Sequence, residues 1–316
     1  MSASADDARI RSLRSSKPIN DPWRAHGSLV EEERRPDGTR ERALTVFLTG
    51  AECPFTCSFC DLWRYTIGGP TPRGALPAQL AEVLRSFDGR TAPLDRLKFY
   101  NASNFFDRRA VPADDVPALA ALAAPFAGVT VESHASTIGP LTLEFAQLIA
   151  GRLEVAVGLE TVHPVAAARL NKRLDLERFD RAAHFLTNNE IDLRVFVLIG
   201  TPHVPFNESV EWTVRTVEYA VQRGASVVSI IPVRGGNGEL ERLESTGDFV
   251  PPTLWQLESV LERCLSLAPA AVSGDLWDAD RLATCSACSA ARIERLRRMN
   301  VTGLPEAAIV CPSCAS

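Results

Sequence analysis

Six short apolar runs, each followed by a segment of helical periodicity, constrain this chain more than any other feature. The runs fall at 43–49, 94–100, 129–132, 153–159, 193–199 and 226–231. The helical segments fall at about 77–87, 115–126, 141–150, 164–171 with 176–188, 208–223 and 254–267. Strand, crossover helix and parallel strand, repeated, build a parallel sheet of right-handed units. Six units are too few for the eight of a closed barrel. The expected fold is therefore α/β, a curved, partial (β/α)6 TIM-like barrel over 43–270. Residues 1–42 are polar, with the charge run Glu31-Glu32-Glu33-Arg34-Arg35 and a turn signal at Pro36-Asp37-Gly38. They read as an irregular or partly helical lead-in whose charge run is a solvated face. Residues 271–316 read as a small cysteine-rich, metal-binding extension.

In such sheets active residues collect at the carboxyl ends of the strands. The first strand ends in Cys53-Pro54-Phe55-Thr56-Cys57-Ser58-Phe59-Cys60, a C-x3-C-x2-C loop. Three thiolates on one loop can hold three irons of a [4Fe–4S] cubane. With no fourth sulfur in the loop, one iron stays open to bind and react. A zinc knuckle would favour C-x2-C pairs. A disulfide framework would want an even number and a secretory leader, and Met1-Ser2-Ala3-Ser4-Ala5-Asp6-Asp7 lacks the basic-then-apolar order of one. No apolar run approaches the roughly 20 residues that cross a bilayer. A soluble cytoplasmic protein without a membrane partner is expected, its cysteines serving metals. The net charge of -5 argues against a broadly basic nucleic-acid surface.

The tail carries a second cysteine group. Cys285-Ser286-Ala287-Cys288 and Cys311-Pro312-Ser313-Cys314 are two C-x2-C pairs separated by 22 residues. That pattern reads as a site for zinc or for a second [4Fe–4S] cluster. The piece between them, 291–299, reads as a short basic helix. Cys264, inside a helical pattern, reads as a buried hydrophobe.

The C-x3-C-x2-C loop resembles that of the radical S-adenosylmethionine (SAM) superfamily, whose fold is also a partial (β/α)6 barrel. The resemblance implies that SAM binds the open iron of a [4Fe–4S] cluster and is cleaved to a 5'-deoxyadenosyl radical. It also implies a reductant such as flavodoxin or ferredoxin. Phe59 matches the family aromatic near the adenine. Asn101, Ala102 and Ser103 stand where the family has a Gly-Gly-Glu-type stretch for the methionine amino group, although those glycines are missing here. Glu132 and Glu160, at the ends of the third and fourth strands, match ribose- and methionine-binding positions. Lys172, with Arg173 as competitor, matches a basic residue for the SAM carboxylate, and Gly200 the glycine flanking the adenine. The order resembles the subgroup of methylthiotransferases, the elongator catalytic subunit and the coproporphyrinogen-oxidising enzymes. It is also similar to the radical SAM subunit of archaeosine synthase.

His134 and His203, at strand mouths, are candidates for acid–base work or substrate binding. Tyr100, and Arg234 and Asn237 on the Gly-rich loop 231–239, are candidates for a substrate pocket. The expected function is hydrogen abstraction from a small-molecule or nucleoside-like substrate in a biosynthetic, lyase- or rearrangement-type reaction. Two alternatives are a radical SAM enzyme modifying tRNA, motivated by the basic tail helix, and a non-enzymatic metal-bearing scaffold.

Overall fold

The computed structural model describes residues 5–87, 93–267 and 269–314. One sheet runs in chain order through β1 Gly27–Arg34, β2 Arg40–Phe47, β3 Arg96–Tyr100, β4 Gly128–Glu132, β5 Arg152–Glu160, β6 Asp192–Ile199, β7 Ala225–Pro232 and β8 Ala271–Gly274. β1 is antiparallel to β2, and every later pair is parallel. The helices are α1 Ala5–Leu13, α2 Ala75–Phe87, α3 Val116–Ala123, α4 Pro140–Leu148, α5 Pro164–Arg169, α6 Leu176–Asn188, α7 Ser209–Gln222, α8 Glu239–Ser245, α9 Leu254–Cys264 and α10 Ser289–Thr302. The six expected parallel strands are β2 to β7. The sheet is a nearly closed barrel, wider than six units because β1 and β8 extend it at either edge.

Side chains alternate across the sheet, apart from register shifts at Gly158/Glu160 and Leu193/Arg194. Leu44, Leu97, Val129, Val155, Val195 and Val228 point outward into one apolar core beneath the helices. Inward-facing neighbours are polar and charged. Lys98 Nζ lies 2.6 Å from both Glu31 and Glu33. Arg194 pairs with Glu154 at 2.7 Å and Glu33 at 2.8 Å, Arg35 reaches Glu154 at 2.8 Å, and Thr130 donates to Glu154 at 3.0 Å. Buried charge is tolerated because each member has an opposite partner. Burial alone would raise the Glu154 carboxyl, but Arg194, Arg35 and Arg96 hold it well below the usual range. Glu33 likewise is held down to about 2, by Arg194 and Lys98 against the effect of burial.

Two expectations are corrected here. The lead-in contains a helix and the whole of β1, and its charge run is not a solvated face. Glu31 and Glu33 both accept from the buried Lys98 ammonium, Glu33 half-buried and Glu31 at the exposed rim, while Glu32 faces water. A strand whose inward partners are cations shows no alternation of apolar residues, so hydrophobic periodicity is blind to it. The tail begins with β8, which pairs with β7 and so belongs to the sheet.

Above the charged plug, Phe47, Tyr100 and Phe196 face inward from β2, β3 and β6. Their rings stand 6.5 Å and 6.2 Å apart in tilted and edge-on contact. They form a half-exposed apolar floor at the carboxyl ends of the strands.

A polar mouth above an aromatic floor

The loop of Cys53, Cys57 and Cys60 leaves β2 at this mouth and is held in place from several sides. Asn104, buried behind β3, donates to Cys53 Sγ at 3.4 Å and accepts from the His134 amide at 2.8 Å. Asn237 donates to the Ser58 carbonyl at 2.6 Å and accepts from the Leu240 amide at 2.9 Å. Ser58 N donates to the Leu170 carbonyl at 2.9 Å. Burial pushes the Cys53 and Cys60 thiols up and Cys57 to about 12. A bound cation is what would ionise thiols so placed. The other cysteines lie elsewhere: Cys264 is fully buried in α9, as expected, and four meet in the tail.

Four polar atoms at the ends of β3 and β4 are buried without a partner: Asn101 Nδ2 and Oδ1, Ser103 Oγ and Glu132 Oε1. Ala102 between them takes a left-handed φ of +52°. Burial lifts the Glu132 carboxyl to about 7 although the backbone N–H groups of Ala102, Asn101 and Ser103 donate to it. Each such unmet buried group costs about 1–3 kcal/mol. Their concentration at one strand mouth marks a cradle shaped for a polar ligand with both donors and acceptors.

Across the mouth, a β-bulge between Gly158 and Glu160, with Glu160 at φ +69°, swings the Glu160 carboxylate inward. It accepts from Lys172 Nζ at 2.6 Å. A Cβ on Gly158 would collide with both, so glycine there makes room for the pair. Burial disfavours the Lys172 ammonium, but Glu160 and the nearby Cys57 outweigh it and raise its pKa. The ammonium also stands 6.0 Å from the Phe59 ring. Glu160, Lys172, Phe59 and the cysteine loop, assigned separately from sequence, thus form one cluster. Gly200 closes β6 at φ +74°, with the Pro252 ring 2.6 Å from where a Cβ would stand.

Other candidates sit differently. His134 stacks on Phe55 at 4.1 Å. Its Nδ1 accepts from the Ser136 amide at 3.1 Å, which leaves Nε2 to donate to the Lys172 carbonyl at 3.1 Å. Burial and the neighbouring Lys172 lower its pKa to about 3, so the ring stays neutral. That geometry positions Lys172. His203 takes φ +67°, donates its amide to the Asp248 carbonyl at 2.8 Å, and has its Nδ1 buried without a hydrogen bond. Arg234 donates to the Trp277 carbonyl at 2.7 Å and lines a cavity of about 250 Å³ with Trp277, Arg281 and Phe249. Arg173 turns away from the mouth to pair with Asp7.

Sequence reasoning missed the contribution of α1. Asp7 accepts from Thr56 inside the cysteine loop, from Asn171 at 2.8 Å and from Arg173. Asn171 also donates to the Thr56 carbonyl at 2.9 Å. Glu52, next to Cys53, is bridged by Arg14 at 2.7 Å and Lys17 at 2.6 Å. An acid in a polar lead-in gives no local signal of this, nor does the left-handed backbone of Asn171 and Arg173 on either side of Lys172.

The tail helix is not a free basic face. Arg292 and Arg295 are buried against Glu258, and Arg297 and Arg298 pair with Glu294 and Glu306. No helix among the described residues is long and apolar enough to cross a membrane.

No protein-family model matches the sequence, and no curated protein matches it. Solved structures do match in fold. The archaeal Methanocaldococcus infernus Elp3 aligns at TM-score 0.53 and 11% identity, over 71% of this chain and 59% of that one. Methylornithine synthase, PylB, aligns at TM-score 0.51 and 16% identity, over 72% of this chain and 64% of that one. The chain thus spans less than two thirds of the length of either. A radical SAM methyltransferase from Sphaerobacter thermophilus aligns at TM-score 0.49 and 15% identity, over 80% and 77% of the two chains. The fold is thus shared with Elp3 and methylornithine synthase.

Proposed function

We propose that this chain is a radical SAM enzyme. Cys53, Cys57 and Cys60 hold a [4Fe–4S] cluster, and SAM docks beside it against the polar ends of β3, β4 and β5. The observation that carries this reading is the cradle of unmet polar atoms on Asn101, Ser103 and Glu132, facing the three-cysteine loop. With cluster and SAM bound, the site supplies reductive carbon–sulfur cleavage and a 5'-deoxyadenosyl radical that takes hydrogen from a substrate carbon.

The chain's own residues bind and orient. Glu132 accepts from the ammonium or ribose hydroxyls of SAM, and Asn101 and Ser103 complete that shell. Lys172 meets the methionine carboxylate, with Glu160 fixing its ammonium and the neutral His134 fixing its backbone. Phe59 and Gly200 flank the adenine. Phe47, Tyr100 and Phe196 keep water from the floor on which a small-molecule or nucleoside-like substrate rests, for a reaction of lyase or rearrangement type. An external one-electron reductant such as flavodoxin or ferredoxin completes the system.

The test is anaerobic reconstitution with iron and sulfide, followed by dithionite and SAM. We expect 5'-deoxyadenosine from the intact protein and none from Cys57→Ala. Equal yields from the two would reject the reading.

A further inference from the structure

The four tail cysteines do a different job from the three at the mouth. We propose that Cys285, Cys288, Cys311 and Cys314 bind one zinc ion in a tetrahedral all-sulfur site, and that this ion locks α10 across the gap between β1 and β8.

The spacing of the sulfurs carries the first half. All four Sγ atoms lie within 4.8 Å of one another, with Cys285–Cys311 at 3.9 Å and Cys288–Cys314 at 3.6 Å. A tetrahedral zinc with bonds of about 2.3 Å sets its sulfurs about 3.8 Å apart. In a [4Fe–4S] cluster each cysteine ends on a different iron, so the whole cubane lies between the sulfurs and spreads them well beyond such contact. Four sulfurs this close leave room for a single ion. Among the described residues these four are the group that converges so tightly, and Cys53, Cys57 and Cys60 are not part of any such group.

The surroundings fit a permanent dication. Arg292 Nε donates to Cys288 Sγ at 3.2 Å, and Glu258 fixes that guanidinium from behind. One N–H to sulfur bond offsets part of the excess negative charge of four thiolates on one dication. The Cys285 carbonyl accepts from the Cys288 and Ser289 amides at 3.4 and 3.1 Å, so the first pair is a turn opening directly into α10.

The second half follows from what the ion would tie together. Asn300 of α10 pairs with the exposed edge of β8, accepting from Gly274 N at 2.8 Å and donating to Gly274 O at 2.7 Å. Gly303, the left-handed C-cap of α10, lies against the Arg34 side chain of β1. Helix α10 therefore closes the barrel where no strand does. The stretch that returns to Cys311 has no apolar core of its own, since Leu304 is 65% and Val310 91% exposed. It is held by polar contacts instead: Arg295 Nε donates to the Ala307 carbonyl at 2.8 Å, the Arg292 guanidinium to the Ile309 carbonyl at 3.2 Å, and Arg298 pairs with Glu306 at 2.8 Å. A metal bound only by the folded tail adds its binding free energy to folding. Zinc has no redox chemistry, so the site stabilises and does not relay electrons.

Metal and acid-labile sulfide are measured on the full-length protein and on a Cys53/Cys57/Cys60→Ala triple variant. We expect about one zinc per chain in both and iron in the intact protein alone. A Cys285→Ser/Cys311→Ser variant should lose the zinc, keep its iron, and melt more than about 5 °C lower. Iron with sulfide in the triple variant, or no metal there at all, overturns the proposal, whatever the tail variant does. Both outcomes are read without turnover, so they stand apart from the proposed enzyme activity.

Discussion

The two cysteine groups differ in how completely the fold satisfies what surrounds them. Around the tail group the charges are matched: Arg292 and Arg295 against Glu258, and backbone carbonyls of 306–309 against the same guanidinia. Around the mouth group the fold leaves Asn101, Ser103 and Glu132 with buried atoms unmet. Around the tail sulfurs the neighbouring nitrogen and oxygen groups are paired within the chain, whereas the mouth keeps a deficit of such partners for a ligand to fill. The difference separates function from scaffolding more sharply than cysteine spacing does.

The sharpest way to break this contrast is to exchange the losses. Cys57→Ala should abolish 5'-deoxyadenosine formation and leave the melting temperature of the protein without iron and sulfide almost unchanged, while Cys288→Ser should lower the melting temperature and spare iron content after reconstitution. Calorimetry and product analysis on the same two preparations would read both, and matching behaviour would mean the two sites are not different in kind. Next in size, Arg295→Met leaves the buried Glu258 with Arg292 as its one remaining guanidinium and takes the partner of the partly exposed Glu262, so the loss should fall at the lower end of the about 3–5 kcal/mol that breaking a buried pair costs. Urea denaturation measures it.

A smaller effect belongs to Glu132. Its pKa of about 7 is raised by burial, so the unliganded fold is relatively more stable below that pH and loses this contribution as pH rises through it. A ligand donor favours the carboxylate, so SAM affinity should strengthen roughly tenfold from pH 6 to pH 8. Glu132→Gln should flatten that profile, and isothermal titration across the range would show it. Smallest is Asp7→Asn, which weakens a buried acceptor shared by Thr56, Asn171 and Arg173. A loss of about 1–3 kcal/mol is expected, seen as faster amide exchange in α1 and the cysteine loop and not elsewhere.

Much of this was legible in the residues. The parallel strands β2 to β7 came from short, mostly apolar runs, although β3, β5 and β6 carry the inward charges Lys98, Glu154 and Arg194. Cys53, Cys57 and Cys60 came from spacing within one loop, and Glu132 and Glu160 from acids placed after apolar runs. β1 was not legible, because its inward residues answer Lys98 and Arg194 instead of apolar neighbours. The Glu160–Lys172 pair was legible only as two separate residues, since a bulge and the bareness of Gly158 bring them together.

The sequence by itself determined the repeat of strand and helix, the three-thiolate loop at a strand end and the two cysteine pairs of the tail, because each is written in residues close together along the chain. Only the tertiary structure decided that α1 braces the cysteine loop through Asp7, that a charged plug fills the barrel beneath an aromatic floor, and that the tail sulfurs converge to the spacing of a single ion. Those depend on distances between residues far apart in the chain, set when burial forces each charge to find its opposite.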